Sequence, residues 1–578
     1  MENSDTIILP ELSMFFSTMF SQSGDGQSSL LPCLHAAQDL YGYIPEKAID
    51  EISKNLQIPI EKILEVINYF PLFFTRPVSK TILHVCNDPT CKLAGADAVF
   101  RMIHNSELGN TVPGETPVEK APCLGLCVHT PSIYMDNGMF KIPVEKRIQI
   151  RNGFGSVHSK TTIRGENRLI THRCGTGKTA GLMEYWSSEG YQALKKALTM
   201  SGENVISEIK ISGLTGRGGE SLMTGIKWEK AFQSEQKIRY LVCNASESDP
   251  MSYKDRVLME DDPHSLLEGM IIAAYAIRAE QGFLYINGEY DTAYQALSRA
   301  ITDAREAGLL GKKILGKEFN FDIELRRGAG RYVCGEETAI LEAIEGKCGI
   351  PRKKPPFPTS IGLFGKPTVI NNVETLCNVP VILRVEARNY KRIGTETSKG
   401  TVLLSMMGDL VNPGLLEIPF GLTFRELIFA ICGGIPTNHV FQAAIVGGIT
   451  GKLIDEKELD IPISHENLRK AGLTLGGGSI IVLDDSRNLI NILCRISKFL
   501  AGESCGICPS CVNGTRTQFE LLNKAKSKQI SPEDLRLFRE TLHMMEKTSI
   551  CQLGKRASHL ARSAYQKWPT LFSQTVGS

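Results

Sequence analysis

Eight of the sixteen cysteines fall into two groups whose spacing could bind metal. In the first group, Cys86 and Cys91 form C-x4-C, and Cys123 and Cys127 form C-x3-C. Thiolates are soft ligands that select zinc or an iron–sulfur cluster. A zinc ribbon usually has C-x2-C pairs, whereas wider pairs suit a two-iron cluster. The spacing therefore favours [2Fe–2S], with zinc as the alternative.

The second group is a tighter triplet near the carboxyl terminus. Cys505, Cys508 and Cys511 form C-x2-C-x2-C in the segment ESCGICPSCVNG. This triplet is typical of a [4Fe–4S] cluster, in which three thiolates hold three corners of the cube. A fourth thiolate must come from elsewhere in the chain, and zinc is again the alternative.

A glycine-rich segment at residues 213–228, GLTGRGGESLMTGIKW, contains five glycines together with Arg217 and Lys227. Such a loop lets backbone N–H groups approach a phosphate, and the two cations add positive charge. It is not the dinucleotide fingerprint G-x-G-x-x-G, because Ser221 stands where the third glycine belongs. A simple turn is the alternative interpretation of this segment.

Two further segments place polar side chains where α/β proteins bind ligands. In YLVCNASESDPMSYKDR, a predicted strand ends at Cys243 and gives way to a polar loop. The carboxyl ends of parallel strands are where such folds hold ligands. In GAGRYVCGEET, the adjacent Glu336 and Glu337 would be costly to bury without partners. We interpret them as hydrogen-bond acceptors for a ligand.

One apparent nucleotide motif is excluded. Residues 174–179 read CGTGKT and suggest a P-loop. The motif G-x-x-x-x-G-K-[ST] requires glycine at position 172, where this chain has His172. An ATPase is therefore not expected.

Length and composition indicate a multidomain globular protein. The 578 residues predict roughly three to five domains of about 150 residues. A net charge of +2 gives no electrostatic reason to expect nucleic acid or anionic lipid as a partner. The longest uncharged apolar run, near Met270–Ile277, is far shorter than the roughly 20 residues that span a bilayer. The acidic amino terminus is a poor signal peptide, so we expect a cytoplasmic location.

Pattern changes along the chain predict α/β architecture in several units. Helical spacing precedes the first cysteine group, so residues 1–150 are expected to form a helical segment and a cluster-binding domain. Residues 151–184 are the best linker. Glycine-rich loops, strands and amphipathic helices alternate over 185–395, which favours an α/β domain. Residues 396–487 predict a small β-rich domain, and 488–578 a helical domain.

The first cysteine group and its flanks, residues 28–142, resemble the small thioredoxin-like [2Fe–2S] subunit of respiratory complex I. The likeness includes LLPCLHAAQDLYGYIPEKAIDEISKNL upstream of the cysteines. It implies a thioredoxin-like fold with Cys86, Cys91, Cys123 and Cys127 as ligands. The chain departs from the family after the last cysteine, where residues 127–131 read CVHTP.

Residues 190–551 resemble the FMN- and NADH-binding subunit of complex I and its relatives. Several long motifs occur in the family's order, including VINNVET at residues 369–375. The resemblance implies an FMN-binding α/β domain, a β-grasp-like or ubiquitin-like domain and a helical [4Fe–4S] bundle, with Cys551 as the fourth ligand. The residues implied to line FMN are Gly216, Arg217, Gly218, Lys227, Asn244, Glu247, Ser248, Tyr332, Gly335, Glu336, Asn371 and Asn372. Those implied to face the nicotinamide nucleotide are Gly219, Glu337 and Phe357, with Glu337 as the catalytic candidate.

The chain departs from this family in the glycine-rich segment. The family usually has Ala-Gly-Phe where this chain has Glu220, Ser221 and Leu222, and often a phenylalanine where Lys230 stands. Those aromatic rings help to hold adenine, so two stacking surfaces are expected to be missing. Ser246 replaces a carboxylate that the family places near the flavin.

The implied function is electron transfer between NAD(H) and a partner. NAD(H) exchanges hydride, iron–sulfur clusters carry single electrons, and a flavin does both. The chain has no recognisable quinone site, proton channel or hydrogenase centre, so it is expected to be one subunit of a larger complex. The fusion of the two units most resembles the large diaphorase subunit of soluble NAD-reducing [NiFe] hydrogenases. Alternatives are a fused complex I flavin subunit, an NAD-dependent formate dehydrogenase subunit, or a non-enzymatic electron relay or scaffold.

Overall fold

The structure is a computed structural model. It describes residues 26–76, 82–86, 91, 95–105, 118–121, 133–136, 141–144 and 161–573.

Three amphipathic helices begin the described chain: α1 (Leu30–Tyr41), α2 (Glu46–Leu56) and α3 (Ile60–Tyr69). Helix α1 ends at Gly42, whose φ of 78° is the left-handed conformation that closes many helices. The apolar faces of these helices share one buried cluster with alternate strand residues of the central sheet. The amino-terminal helices therefore cover one face of that sheet.

A small four-stranded sheet contains the first cysteine pair. Its strands are β1 (Ile82–Cys86), β2 (Val118–Ala121), β3 (Ile133–Asp136) and β4 (Lys141–Val144). The spatial order is β2-β1-β3-β4, with β1 and β2 parallel and the other pairs antiparallel. Helix α4 (Ala96–Asn105) follows β1.

The expected linker at 151–184 is not a free connector over its whole length. Residues 151–160 lie outside the described residues, whereas Ile163–Arg164 forms strand β5 and pairs in parallel with Gly414–Pro419. The buried Glu417 carboxylate accepts hydrogen bonds from the backbone N–H groups of residues 169–171, at 2.8–3.1 Å. Composition predicted a linker here, but the carboxylate of a residue far away in the chain anchors this part of the backbone inside the protein.

The central domain is a parallel sheet with helices on both faces. Its strands are β6 (Tyr240–Ala245), β7 (Gln281–Ile286), β8 (Asp322–Arg327) and β9 (Thr368–Asn372), in the order β8-β7-β6-β9. Its helices are α5 (Leu182–Ser187), α6 (Gln192–Ala197), α7 (Gly202–Ser212), α8 (Thr224–Phe232), α9 (Lys254–Asp261), α10 (Pro263–Ile277), α11 (Asp291–Glu306), α12 (Glu337–Ile344), α13 (Val373–Val385) and α14 (Ala387–Tyr390).

Alternate side chains of β6 enter the two cores of this domain. Val242 joins the cluster under the amino-terminal helices, whereas Leu241 and Cys243 join the cluster that contains α10 and α13. Helix α10 is buried on nearly all sides, which explains its continuous apolar sequence. Burial on both faces is characteristic of parallel sheets.

The β-rich domain is a six-stranded mixed sheet. It contains β10 (Thr401–Gly408), β11 (Gly414–Pro419), β12 (Phe441–Val446), β13 (Lys452–Ile454) and β14 (Ser479–Asp484), in the order β13-β12-β14-β10-β11-β5. A π-helical segment, Glu426–Ile431, lies between β11 and β12. Helix α15 (His465–Lys470) faces the glycine-rich loop of the central domain.

The carboxyl-terminal domain is helical. Its helices are α16 (Leu489–Gly502), α17 (Pro509–Lys526), α18 (Pro532–Thr548), α19 (Gln552–Arg556) and α20 (His559–Lys567). Ser531 begins α18 by accepting a hydrogen bond from the Asp534 N–H at 3.1 Å, as an N-cap residue does. Within the described parts of the chain, no helix is both long enough and apolar enough to cross a membrane.

Candidate functional site

A cleft of about 460 Å³, counting the part open to solvent, lies at the carboxyl ends of β6, β7 and β8. Ser248 lines it after β6, and Tyr332 lines it after β8. Phe499 and Glu503, at the end of α16, form its opposite wall. The cleft therefore lies between the parallel sheet and the helical domain that carries the second cysteine group.

A charged cluster includes Glu336 and Glu337, which follow the cleft-lining Cys334 in the chain, and it contains three of the predicted residues. Lys227 Nζ donates to Glu220 at 2.8 Å, to Glu337 at 3.3 Å and to the Ile370 carbonyl at 2.9 Å. Lys354 Nζ donates to Glu337 at 2.5 Å and to Glu336 at 2.8 Å. Glu337 thus lies between two ammonium groups.

The neighbours of Glu337 determine its ionisation. Burial alone would raise its pKa, but Lys227, a hydrogen bond with Glu220 and Lys354 lower it to about 2. Burial raises the pKa of Glu220, and the nearby Glu337 adds to that effect. The pKa of Lys227 is raised because its two carboxylate partners outweigh its burial. Glu337 is therefore a fixed anion at neutral pH.

Two predicted residues, Asn244 at the end of β6 and Ser248 in the loop after it, contact the segment that leads to Glu336 and Glu337. Asn244 Nδ2 donates to the Gly335 carbonyl at 3.0 Å, and Ser248 Oγ donates to the Tyr332 carbonyl at 2.8 Å. A Cβ added at Gly335 would lie 2.3 Å from Ser248 Oγ, so this close approach requires glycine. The two ligand-binding segments predicted from sequence are therefore in direct contact.

Glu247, predicted near the flavin, instead has its carboxylate at the amino end of α9. It accepts hydrogen bonds from Ser252 Oγ at 2.7 Å and from the N–H groups of Asp255 and Arg256 at 3.0 and 2.8 Å. Its backbone φ of 31° directs the side chain there. Burial and the Asp255 charge raise the pKa of Glu247 to about 7. In this structure Glu247 caps a helix.

Arg217, also predicted at the flavin, has its guanidinium buried under the glycine-rich loop. It donates to Thr215 Oγ1 at 2.7 Å and to the Lys399 carbonyl at 2.6 Å, and it lies 4.8 Å from the centre of the Phe420 ring. Its Nε lies 3.8 Å from Glu374. The side chain therefore joins the loop to the β-rich domain.

The asparagines at the end of β9 contact scaffold residues. Asn371 Oδ1 accepts a hydrogen bond from Trp228 Nε1 at 2.8 Å. Asn372 begins α13 by accepting from the Glu374 N–H at 3.0 Å, and its amide donates to Asp255. These contacts fix the carboxyl end of β9 against α8 and α9.

A buried ion network was not predicted from the sequence. Lys254 Nζ lies 2.8 Å from Asp255 and 2.9 Å from Glu374, and all three side chains are almost fully buried. Burial would lower the pKa of Lys254, but the two carboxylates hold it above its ordinary value. The only sequence signal was a Lys-Asp-Arg run directly after the polar loop of β6.

The glycine-rich loop is packed against the β-rich domain. Gly219 has a φ of 102°, and a Cβ there would approach the Gly476 backbone to 3.2 Å. A Cβ added at Gly218 would lie 3.0 Å from the Cβ of Asn372, whereas a Cβ added at Gly216 would lie 3.8 Å from its nearest neighbour, the Leu222 carbonyl oxygen. The two ring nitrogens of His465 form hydrogen bonds with Ser221 Oγ and Thr215 Oγ1, both at 3.1 Å.

Apolar side chains around this loop are exposed. Leu222 is 59% exposed, and Phe357, the aromatic residue predicted to face the nucleotide, is 57% exposed. Lys230 lies on the exposed face of α8. Leu222, in the loop, and Phe357, three residues after Lys354, therefore present exposed apolar side chains on two segments that also contribute to the charged cluster.

The four cysteines of the second group come together. Cys505, Cys508, Cys511 and Cys551 share one small apolar cluster with Val333 and Leu553. Cys508 is the N-cap of α17, where helix dipole and free N–H groups favour negative charge. Burial raises the pKa of the Cys511 thiol to about 12, so a metal centre would have to displace its proton.

Glu503 joins this cysteine cluster to the cleft. Glu503 stands two residues before Cys505 in the chain, and its carboxylate accepts a hydrogen bond from the Tyr332 N–H at 2.9 Å. The Tyr332 ring packs edge to face on Phe499, with 5.8 Å between ring centres. Tyr332 is therefore shared between the predicted flavin segment and the predicted cluster domain.

The first cysteine group is only partly described. Cys86 ends β1 and Cys91 follows it, and both are buried. Cys123 and Cys127 lie outside the described residues.

Comparison with protein families matches three parts of the chain. Residues 16–149 match the thioredoxin-like [2Fe-2S] ferredoxin family. Residues 209–381 match the Nuo51 FMN-binding domain. Residues 491–575 match the NADH-ubiquinone oxidoreductase-F iron-sulfur binding region. These matches confirm the predicted α/β multidomain fold class and the predicted FMN and iron–sulfur cofactors, and they decide against zinc.

Individual relatives extend this result. The chain is 41% identical to the HndC subunit of the NADP-reducing hydrogenase of Solidesulfovibrio fructosivorans, over 68% of this chain and 80% of that protein. It is 40% identical to a subunit of the NADH-quinone oxidoreductase of Aquifex aeolicus, over 72% of this chain and 94% of that protein. A crystal structure of an NAD⁺-reducing [NiFe]-hydrogenase in the H₂-reduced state aligns with a TM-score of 0.80 and 25% identity, covering 96% of this chain and 93% of its own.

The matched segments coincide with the places where the structure brings the predicted ligands together. The FMN-binding match contains Lys227, Tyr332 and Glu337, and the iron–sulfur match contains all four cysteines of the second group. The chain therefore belongs to the family of flavin- and iron–sulfur-containing oxidoreductase subunits that includes this NADH-quinone oxidoreductase component of Aquifex aeolicus.

Proposed function

We propose that this chain is a diaphorase subunit, which exchanges hydride between NAD(H) and FMN and passes single electrons through iron–sulfur clusters to or from a partner. The observation that carries this proposal is the position of Tyr332. Its carbonyl accepts a hydrogen bond from Ser248, in the FMN-binding segment, and its N–H donates to Glu503, beside Cys505. Electron transfer between a flavin and a cluster needs the two binding sites to lie close together, and Tyr332 contacts both segments.

The residues around the cleft fit a flavin nucleotide. The cleft lies at the carboxyl ends of three parallel strands, where α/β folds hold their ligands. Ser248 and Tyr332 line the cleft, and Asn244 holds the adjacent Gly335 through a hydrogen bond to its carbonyl. When bound there, FMN supplies both hydride and single-electron chemistry.

Four predicted residues contact the surrounding scaffold in this structure, and we propose that they support the flavin site by positioning its loops. Arg217, Glu247, Asn371 and Asn372 hold the loops and helix ends that surround the cleft. Lys227 and Glu336 contribute charge at its edge through the Glu337 cluster. Gly218 lets the loop approach Asn372 closely.

Glu337 is proposed to orient the nicotinamide nucleotide. Its carboxylate is ionised and held by two lysines, so it can accept a hydrogen bond without first losing a proton. Gly219 and Phe357 complete the proposed nucleotide surface, and the exposed Phe357 ring is available for stacking. The fixed charge of Glu337 supports a positioning part in hydride exchange.

The cluster ligands are proposed from the two cysteine groups. Cys505, Cys508, Cys511 and Cys551 would hold [4Fe–4S], since four thiols in one apolar cluster suit a centre that deprotonates them. Cys86, Cys91, Cys123 and Cys127 would hold [2Fe–2S]. The proposed domains are 1–150, 185–395, 396–487 and 488–578, with the connecting segment at 151–184 packed on the β-rich domain over its described part.

The partner is proposed to be the catalytic module of an NAD-reducing hydrogenase in the cytoplasm. The similarity to an NAD⁺-reducing [NiFe]-hydrogenase over 96% of the chain favours this partner. The NADH-quinone oxidoreductase relative supports the second candidate, a fused flavin subunit of complex I. A formate dehydrogenase diaphorase and a flavin-free relay are further outcomes that the experiment separates.

The experiment is to purify the full chain anaerobically and to measure flavin, iron and NADH-dependent dye reduction. We expect one FMN per chain and dye reduction with NADH. Brown protein that lacks flavin and does not oxidise NADH would contradict the diaphorase assignment and support the relay. Hydrogen-, quinone- or formate-dependent reactions of the complex isolated with its partners identify the partner module.

A further inference from the structure

Lys227 has no free donor in this structure. An ammonium group has three N–H bonds, and those of Lys227 are directed at Glu220, Glu337 and the Ile370 carbonyl. A phosphate oxygen can therefore reach Lys227 only if one of these three partners leaves.

Glu220 is the partner that can leave most easily. Its side chain is 39% exposed, compared with 13% for Glu337. Glu337 is also held by Lys354, and the Ile370 carbonyl belongs to the fixed strand β9. Rotation of this half-exposed side chain breaks its ion pair with Lys227 and its side-chain hydrogen bond with Glu337, and leaves the other two partners of Lys227 in place.

The loop around Glu220 is held so that its carboxylate faces Lys227. Gly219 and Ser221, on either side, both have positive φ, at 102° and 55°. Gly219 abuts Gly476, and Ser221 contacts His465, both in the β-rich domain. The backbone is thus anchored on the side away from Lys227, while the Glu220 side chain spans the gap.

We propose that Glu220 is an intramolecular competitor for Lys227: its carboxylate holds the position that a phosphate oxygen of the incoming nicotinamide dinucleotide takes. This inference rests on the proposed function. A carboxylate and a phosphate ester are both anions that accept hydrogen bonds from an ammonium group, so they exclude each other at the same donor. Glu220 thereby lowers the affinity for the dinucleotide and makes its binding depend on displacement of one side chain. FMN carries the same phosphate chemistry, and the experiment distinguishes the two.

The test compares Glu220→Gln and Glu220→Ala with the unmodified holoprotein. We expect the KM for NADH and the Kd for ADP-ribose to fall about two- to tenfold, because a competing charge pair is removed. The ratio of the Kd of the unmodified protein to the Kd of the variant should decrease at high ionic strength, where exposed charges are screened. Glu229→Gln is the matched control. Glu229 lies on the same helix as Lys227 but outside the charged cluster, and its carboxylate pairs with Lys210 at 2.8 Å.

Three outcomes overturn the inference. An unchanged or increased Kd for ADP-ribose in both variants would show that Glu220 does not compete with the dinucleotide. Tighter FMN retention with an unchanged Kd for ADP-ribose would show that Glu220 competes with the flavin phosphate and not with the dinucleotide. An equal effect of Glu229→Gln would show a general charge effect. If the unmodified protein fails to oxidise NADH, the proposed function fails, and the ADP-ribose titration still decides the part played by Glu220.

Discussion

His465 Nδ1 lies 3.1 Å from the hydroxyl of Ser221, so a histidine of the β-rich domain holds the glycine-rich loop of the central domain. Its other ring nitrogen lies 3.1 Å from Thr215 Oγ1, at the start of the same loop. Burial and the nearby Arg217 lower the pKa of His465 to about 4. The ring is therefore neutral at physiological pH, with one nitrogen donating and the other accepting.

Folding stability should fall as the pH decreases from about 6.5 towards 4, and His465 should contribute to that loss. Its pKa in the folded state lies below the unfolded value, so the unfolded chain binds the proton more readily in this interval. His465→Gln should lose less thermal stability than the unmodified protein between about pH 7 and pH 5. His439→Gln is the control, because Asp485 raises the pKa of that exposed histidine. Parallel pH profiles for His465→Gln and the unmodified protein would contradict the prediction.

Glu337→Gln should slow NADH oxidation about ten- to a hundredfold while FMN stays bound, since one charge-assisted hydrogen bond is lost. The substitution keeps the shape of the side chain but removes the anion held between Lys227 and Lys354. Steady-state kinetics together with flavin absorbance measure both effects. Glu342→Gln, on the same helix but paired with Arg352, is the control. Unchanged kinetics would mean that Glu337 is structural.

Lys254→Met should destabilise the protein by about 3–5 kcal/mol, because it leaves buried carboxylates without their cation. Asp255 and Glu374 both depend on Lys254 for charge compensation. Lys210→Met, which breaks the exposed pair with Glu229, should cost less than about 1 kcal/mol. Denaturant titration of both variants tests the difference. Equal losses would indicate that the buried network contributes no more than a surface pair.

Anaerobically prepared protein should contain about six irons per chain, two in one centre and four in the other. Cys86→Ser should abolish the two-iron signal in electron paramagnetic resonance while the four-iron signal and the FMN content remain, because Cys86 lies on a separate small sheet. Cys33→Ser, a buried cysteine outside both groups, should retain both signals. Stoichiometric zinc at either cysteine group would refute the assignment.

The sequence alone singled out those candidate site residues that lie within a few positions of one another in the chain. The cysteine triplet and the Glu336–Glu337 pair each lie within a few residues, so local pattern was enough to single them out. Cys551 needed the family resemblance, because a whole helical hairpin separates it from Cys511. The alternation of glycine-rich loops, strands and helices likewise indicated the parallel sheet.

The direction of a side chain could not be predicted in the same way. Arg217 and Glu247 belong to ligand-binding segments, yet one is buried against Phe420 and the other caps α9. Both orientations depend on groups far away in the chain or on one unusual backbone angle. Lys254, Glu374 and His465 were missed for the same reason, since their partners meet only after the domains have packed.

Strand β5 has a consequence for any attempt to divide the chain. It comes before the central domain in sequence but forms the outer edge of the β-rich sheet, next to β11. The central domain is therefore an insertion between neighbouring strands of another sheet. A fragment that starts after Arg164 would lose the edge strand and uncover the backbone N–H and C=O groups of β11. Such an edge can pair with other chains, so expression of the flavin unit alone should begin before Thr161 if the fragment is to stay monomeric.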